Sequence, residues 1–205
     1  IAECDHDIVS EITKEATATE EGLITYTCSI CGKVIDTEII PMLTSAVVGE
    51  VEGKYNETVK VPVTLNNNHG VWSMAMTVAY DADVLEFVGL EDGLFATDDS
   101  SASAANGVVT IFVMADGLDD VTEDGVAFYA DFKVIQVNSL GTIEVPLCAA
   151  IVADNTINAD GDEVVVVPFN GMVTVLPCEH ENTHIEGAVE ATCVNEGFTG
   201  DTGCD

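Results

Sequence analysis

Cysteine and histidine are the residues of this chain whose spacing could do chemistry. Seven cysteines stand at positions 4, 28, 31, 148, 178, 193 and 204, and six of them fall in the first or last few dozen residues. Cys4-Asp5-His6 is a C-x-H turn, and Cys28-Ser29-Ile30-Cys31 is a C-x-x-C turn followed by Gly32. Each pair offers two soft or borderline donors from one tight turn, and zinc takes four such donors in a tetrahedron. The spacing predicts a structural zinc site made of Cys4, His6, Cys28 and Cys31, in a segment too small to fold on a core of its own. A second set, Cys178, His180 and Cys204, supplies three donors of a like site. The competing chemistry is a disulfide, for instance from Cys4 to Cys28 or Cys31, with His6 a bystander. A redox role for the C-x-x-C is disfavoured because no βαβ pattern surrounds it. Cys148, inside an apolar run, reads as a buried core thiol. A zinc with all four positions on protein has none open for catalysis, so the expected role is to hold the segment together.

The elements around these residues fall into three segments. Residues 1–41 are polar and cysteine-bearing up to Pro41. Residues 44–176 read as strand after strand, including "TVKVPVTL", "VWSMAMTVAY", "GVVTIFVMA", "GVAFYADFKVI", "GTIEVPLCAAIV" and "GMVTVL". Turn clusters such as "NNNHG", "LEDG" and "NADGD" separate the strands, and no helical period intervenes. That pattern predicts an all-β sandwich. Residues 177–205 return to cysteine-bearing sequence and repeat the first segment. "CDH" matches "CEH", and "EATATEEGLITYTC" matches "EATCVNEGFTGDTGC" with one residue inserted, so that Thr17, Gly22 and Cys28 align with Thr192, Gly197 and Cys204. The chain thus reads as a duplication bracketing a β domain, cut from a longer protein.

Charge narrows the function. Thirty-seven acidic residues face five lysines and no arginine, a formal net charge of −32. Such a surface repels nucleic acid and anionic membrane, and it favours a cationic or metal-bridged partner. No apolar stretch is long enough to cross a membrane as a helix. Catalysis is not expected: no nucleophile elbow, phosphate loop or dinucleotide fingerprint occurs, and carboxylates are too abundant for any one pair to mark an active site.

The middle segment, about residues 44–176, resembles the cohesin domain of cellulosome-type scaffoldins. The resemblance rests on "VKVPVTLNNNHGVWSMAMTVAYDADVLEFVGLEDG", on "GVVTIFVMADGLDDVTEDGVAFYADFKV" and on "NADGDEVVVVPFNGMVTV", in that order. It implies a nine-stranded jelly-roll β-sandwich, here with small zinc-ribbon-like terminal segments. It also implies a non-catalytic role in binding a dockerin, a calcium-loaded helical module on another protein. Where many cohesins carry Asn and Asp on the partner-facing strand, this chain has Ser73 and Ala75, so pairing specificity does not carry over. The terminal repeats resemble small cysteine-containing repeats on surface proteins of anaerobic Gram-positive bacteria. Together these resemblances imply an extracellular or cell-surface location.

Alternation along the strands supplies an independent reading of the same face. Trp72, Met74, Met76, Val78 and Tyr80 form a core stripe, which leaves Ser73, Ala75 and Thr77 outward. Val109, Ile111 and Val113 point inward and leave Val108, Thr110 and Phe112 outward. Val126, Phe128, Ala130 and Phe132 point inward and leave Ala127, Tyr129 and Asp131 outward. These nine outward residues are the expected protein-binding patch, anchored by Phe112 and Tyr129. The competing readings are a spacer module in an adhesin or stalk, and a carbohydrate-binding module. The latter is disfavoured because the single Trp72 falls on the core stripe. "DNTINADGDE" brushes against a calcium-loop pattern, but Val167 stands where that loop needs its last glutamate; it reads chiefly as a solvated hairpin loop with at most weak calcium affinity.

Overall fold

The computed structural model describes residues 7–98, 100–138 and 141–177 and, as backbone only, 183–186 and 201–204. Cys4, His6, Cys178, His180 and Cys193 lie outside the described residues, as does the side chain of Cys204.

The first segment forms a three-stranded antiparallel sheet, β1 (Ile8–Lys14), β2 (Gly22–Cys28) and β3 (Val34–Ile40), in the order β1-β2-β3. With no second layer over it among the described residues, Ile8, Val9, Ile12, Val34 and Ile39 remain about half exposed. The turn after β2 closes through Gly32, whose positive φ of 69° suits glycine and whose N–H donates to the Cys28 carbonyl at 2.8 Å. Hydrogen bonds tie this sheet to the middle segment: Leu43 N donates to Thr17 O at 2.9 Å, and Asn67 Nδ2 donates to Ala18 O at 3.2 Å.

The sandwich begins with β4 (Thr44–Val48), β5 (Glu50–Gly53), β6 (Thr58–Asn66) and β7 (Ser73–Ala79). It continues with β8 (Leu85–Asp92), β9 (Ser101–Ala105), β10 (Val108–Met114) and β11 (Gly125–Val134). It ends with β12 (Ile143–Ile151), a short 3-10 turn at Ala153–Asn155, β13 (Val166–Phe169) and β14 (Gly171–Val175). One sheet runs β5-β14-β12-β7-β10-β9 and the other β13-β4-β6-β11-β8. Strict alternation on β6, β7 and β10 sends Val61, Val63, Leu65, Met74, Met76, Val78, Val109, Ile111 and Val113 between the sheets. Phe95, Phe128 and Phe132 fill the same layer.

Among the described residues the sandwich has eleven strands where nine are expected, and the difference lies in two runs that change sheets. Residues 44–53 break at Gly49, so that β4 joins one sheet and β5 the other. Residues 166–175 break at Asn170 in the same way. The two runs lie parallel and cross at one level: a Cβ on Gly171 would come within 2.3 Å of the Gly49 carbonyl, and one on Gly49 within 2.7 Å of the Pro62 ring. Only glycine permits that approach.

Beyond the sandwich, β15 (Thr183–Glu186) pairs antiparallel with β16 (Asp201–Cys204), Thr183 opposite Cys204. The first segment pairs Ile8 opposite Cys28. In each repeat the strand that ends on the aligned cysteine, Cys28 or Cys204, thus pairs antiparallel with the strand that follows the C-x-H residues.

Candidate partner-binding face

The register of the six-stranded sheet decides which side chains share its solvent side. On that side Cys148 lies opposite Ala79, which lies opposite Val108, which lies opposite Ala105. The next row is Ala150, Thr77, Thr110 and Ser103, and Phe112 stands between Ala75 and Ser101 in the row beyond. None of these residues carries a charge, in a chain whose formal charge is −32. Val108 is 39 % exposed and Phe112 is half-buried, so the patch is shallow and mixed aliphatic and hydroxyl in character. Such a surface fits a partner's side chains, not a small substrate.

Of the nine expected residues, this sheet brings together Thr77, Val108, Thr110 and Phe112 as surface. Ser73 and Ala75 share the sheet face but are buried, at 2 % and 5 % exposure. The cover is the chain itself, where the segment after β12 folds back over them. Ser73 Oγ donates to Asn155 O at 3.3 Å, Thr156 Oγ1 accepts from Ala75 N at 3.3 Å, and Val152 N donates to Ala75 O at 2.8 Å. Ala127, Tyr129 and Asp131 cannot join the patch at all. Their strand, β11, pairs with β6 and β8 in the opposite sheet, so its solvent side looks the other way. Ala127 is moreover fully buried, because the register slips between Val126 and Phe128 and a bulge turns it inward.

That opposite side is charged. Lys60 Nζ sits 2.5 Å from Glu91 Oε2, and Asp131 lies across the strand from Lys60. Asp131 Oδ1 is buried without a hydrogen-bond partner; burial, reinforced by the Glu91 carboxylate, pushes its pKa above the ordinary carboxylate value.

One other expectation is corrected. Cys148 is not a core thiol but exposed, because Val145 and Leu147 take the inward positions of β12. Trp72 is half-buried against the core, and its Nε1–H donates to Gly117 O at 3.0 Å. The acidic hairpin loop closes on itself, with Asp162 N donating to Asn158 Oδ1 at 2.8 Å, and is tied to the loop before β11, where Ala159 N donates to Asp120 Oδ1 at 2.6 Å. Among the described residues no three His, Cys, Asp or Glu converge on a point that would hold a metal. Of the expected zinc donors, Cys28 is buried at the end of β2 and Cys31 is exposed in the turn after it. Asp7 is fastened to that turn twice: its carbonyl accepts from Ser29 N and its Oδ2 from Ser29 Oγ, both at 2.8 Å.

The strand that hydrophobic pattern does not reveal is β9. "SASAA" has neither bulk nor β-branched residues, and the available signal is the Asn106-Gly107 pair after it, a two-residue hairpin turn.

Two packed sheets, one with an uncharged patch on part of its solvent face, define a β-sandwich module. The chain belongs to the cohesin domain family, whose model matches residues 44–175. It is 32 % identical over 182 residues to Cellulose-binding protein A of Clostridium cellulovorans, across 85 % of this chain; it spans only 9 % of that protein's length. Among solved structures it is similar in fold to a non-cellulosomal cohesin from the archaeon Archaeoglobus fulgidus, with TM-score 0.56 and 22 % identity over 67 % of this chain and 94 % of that one. It is similar also to the Coh-OlpA–Doc918 type I cohesin–dockerin complex from Clostridium thermocellum, with TM-score 0.55 and 19 % identity over 65 % of this chain and 99 % of that one.

Proposed function

We propose that this chain is a non-catalytic scaffold module of the cell surface or extracellular space that binds a dockerin-type protein partner through the β12-β7-β10-β9 face. The observation that carries the reading is the absence of charge where β9, β10, β7 and the 148–151 end of β12 run side by side, in a protein this acidic. Leaving so broad a patch neutral has no solubility rationale, whereas an interface core is depleted of charge. Membership of the cohesin family and the dockerin-bound relative support the same reading. Because the segment after β12 covers Ser73 and Ala75, the contact centres on Thr77, Thr110 and Phe112.

The test is capture of calcium-loaded dockerins on the immobilised chain, with a calcium chelator as control. The reading expects capture that the chelator abolishes and that Phe112→Asp weakens about 10- to 100-fold, as loss of a central anchor does. Failure of a broad dockerin panel to bind would favour the spacer reading, and retention on polysaccharide the carbohydrate one.

The terminal repeats serve in this proposal as zinc-held segments. Cys28 and Cys31 sit on one glycine-closed turn, and the Asp7–Ser29 bonds bring the chain that leads to Cys4 and His6 alongside it. Zinc there would fasten the two ends of the β1–β2 hairpin. Elemental analysis of protein purified without chelator, paired with thiol titration, distinguishes zinc from disulfides.

A further inference from the structure

Among the described residues four strands form the edges of the sandwich, and three of them are guarded. β5 carries Glu50 and Glu52, β13 carries Pro168, and β8 carries Glu86, Glu91 and Asp92 and pairs with β11 through an irregular register. Charge, proline and irregularity are the usual means of keeping a sheet edge from pairing with another chain. The fourth edge, β9, has none of them: Ser101, Ala102, Ser103, Ala104 and Ala105 are small, neutral and all exposed.

Its backbone polarity follows from the turn. Asn106 and Gly107 both have positive φ, 52° and 74°, the conformation of a tight two-residue hairpin. The residues flanking such a turn, Ala105 and Val108, form a hydrogen-bonded pair, and the pattern then alternates. Ser101, Ser103 and Ala105 therefore spend their amides on β10, while Ala102 and Ala104 aim theirs at the open edge. The side chains of Ala102 and Ala104 lie on the core side, opposite Ile111 and Val109. Beside them a groove of about 290 Å³, lined by Phe87, Leu90, Thr97 and Ala102, opens between the rims of the two sheets.

Aspartates flank the edge at both ends. At one end Asp92 accepts from the Thr97 hydroxyl and amide, which hold its pKa below the ordinary carboxylate value, and Asp98 lies just beyond. At the other, the turn bearing Asp81 and Asp83 abuts the hairpin tip, where Tyr80 N donates to Gly107 O at 2.8 Å. We infer that β9 is a strand-addition site for an extended segment of a partner protein, with apolar side chains at alternate positions for the groove and basic residues at both ends. Backbone bonds to Ala102 and Ala104 supply the affinity, and the alternate side chains supply selectivity. A second copy of this chain is a poor occupant, since its own edge would bring the same aspartates. The inference does not rest on the reading of the sheet face, which centres on side chains of β7 and β10, whereas strand addition uses the open backbone edge of β9.

The probe is acetyl-Lys-Lys-Val-Thr-Val-Thr-Val-Lys-Lys-amide, with binding read by amide hydrogen exchange on the full chain. Without peptide, the amides of Ala102 and Ala104 should exchange fast and those of Ser103 and Ala105 slowly. Saturating peptide should slow Ala102 and Ala104 about tenfold or more, an effect that fades with added salt. Ala102→Pro removes only an edge N–H and should leave the fold intact by near-UV circular dichroism. It should weaken peptide binding about tenfold. Ala104→Lys should weaken it independently, by charging the edge. Absence of protection, or equal binding by the peptide with N-methylated valines, overturns the inference. So does concentration-dependent protection without peptide, which would mean that the edge pairs with another copy of the chain.

Discussion

Asp131 faces solvent on the charged sheet, yet its Oδ1 is buried and unpartnered, and its pKa is raised first by burial and then by Glu91. A carboxyl with a raised folded pKa contributes stability below its unfolded pKa, and loses that contribution as pH rises through the folded value. At neutral pH the ionised group therefore works against the fold. Asp131→Asn should raise the melting temperature at pH 7 by about one to three degrees, and the gain should vanish near pH 3, where both proteins are neutral at this site. Thermal scans across that range check it. Single residues also mark where alternation stops being informative. It places Val108, Thr110 and Phe112 correctly, because β10 is regular and buried on one side only. It fails at Ala127, where a bulge inverts the phase, and at Cys148, whose small apolar side chain gives no sign of its direction.

Among the elements, the paired sheet switches at Gly49 and Asn170–Gly171 hold the first and last runs of the sandwich together. Gly171→Ala would drive a methyl into the Gly49 carbonyl and the Val48 side chain, and should cost about 2–3 kcal/mol in urea unfolding. A switch of this kind is hard to see in sequence, since "VVPFNGMVTV" reads equally well as one strand or two. Nor does sequence tell which strands share a sheet; alternation says which residues point out, and only pairing says where out is. Without pairing, Tyr129 and Asp131 fall into one group with Phe112. The first hairpin, by contrast, is legible in its cysteine spacing and its repeat. If zinc holds it, Cys28→Ser should expose residues 1–41 to protease at least about tenfold faster while the sandwich stays intact. Limited proteolysis with mass spectrometry reads this directly, and equal cleavage of mutant and parent contradicts the zinc role.

Over the whole molecule, acidic residues outnumber lysines so heavily that the folded state repels itself. Raising sodium chloride from about 10 mM to 500 mM, which shortens the screening length from about 30 Å to under 5 Å, should raise the melting temperature by several degrees. A flat response would mean that the charges are already neutralised by bound cations. Against that background the neutral patch shared by β12, β7, β10 and β9 is the surface that the proposed function assigns to a partner. The measurement that bears on it most directly is an NMR titration of the labelled chain with a calcium-loaded dockerin. The account predicts shift changes concentrated at Thr77, Val108, Thr110, Phe112 and Ala150. Changes centred on Tyr129, Asp131 and Lys60, or none with any dockerin, would contradict it.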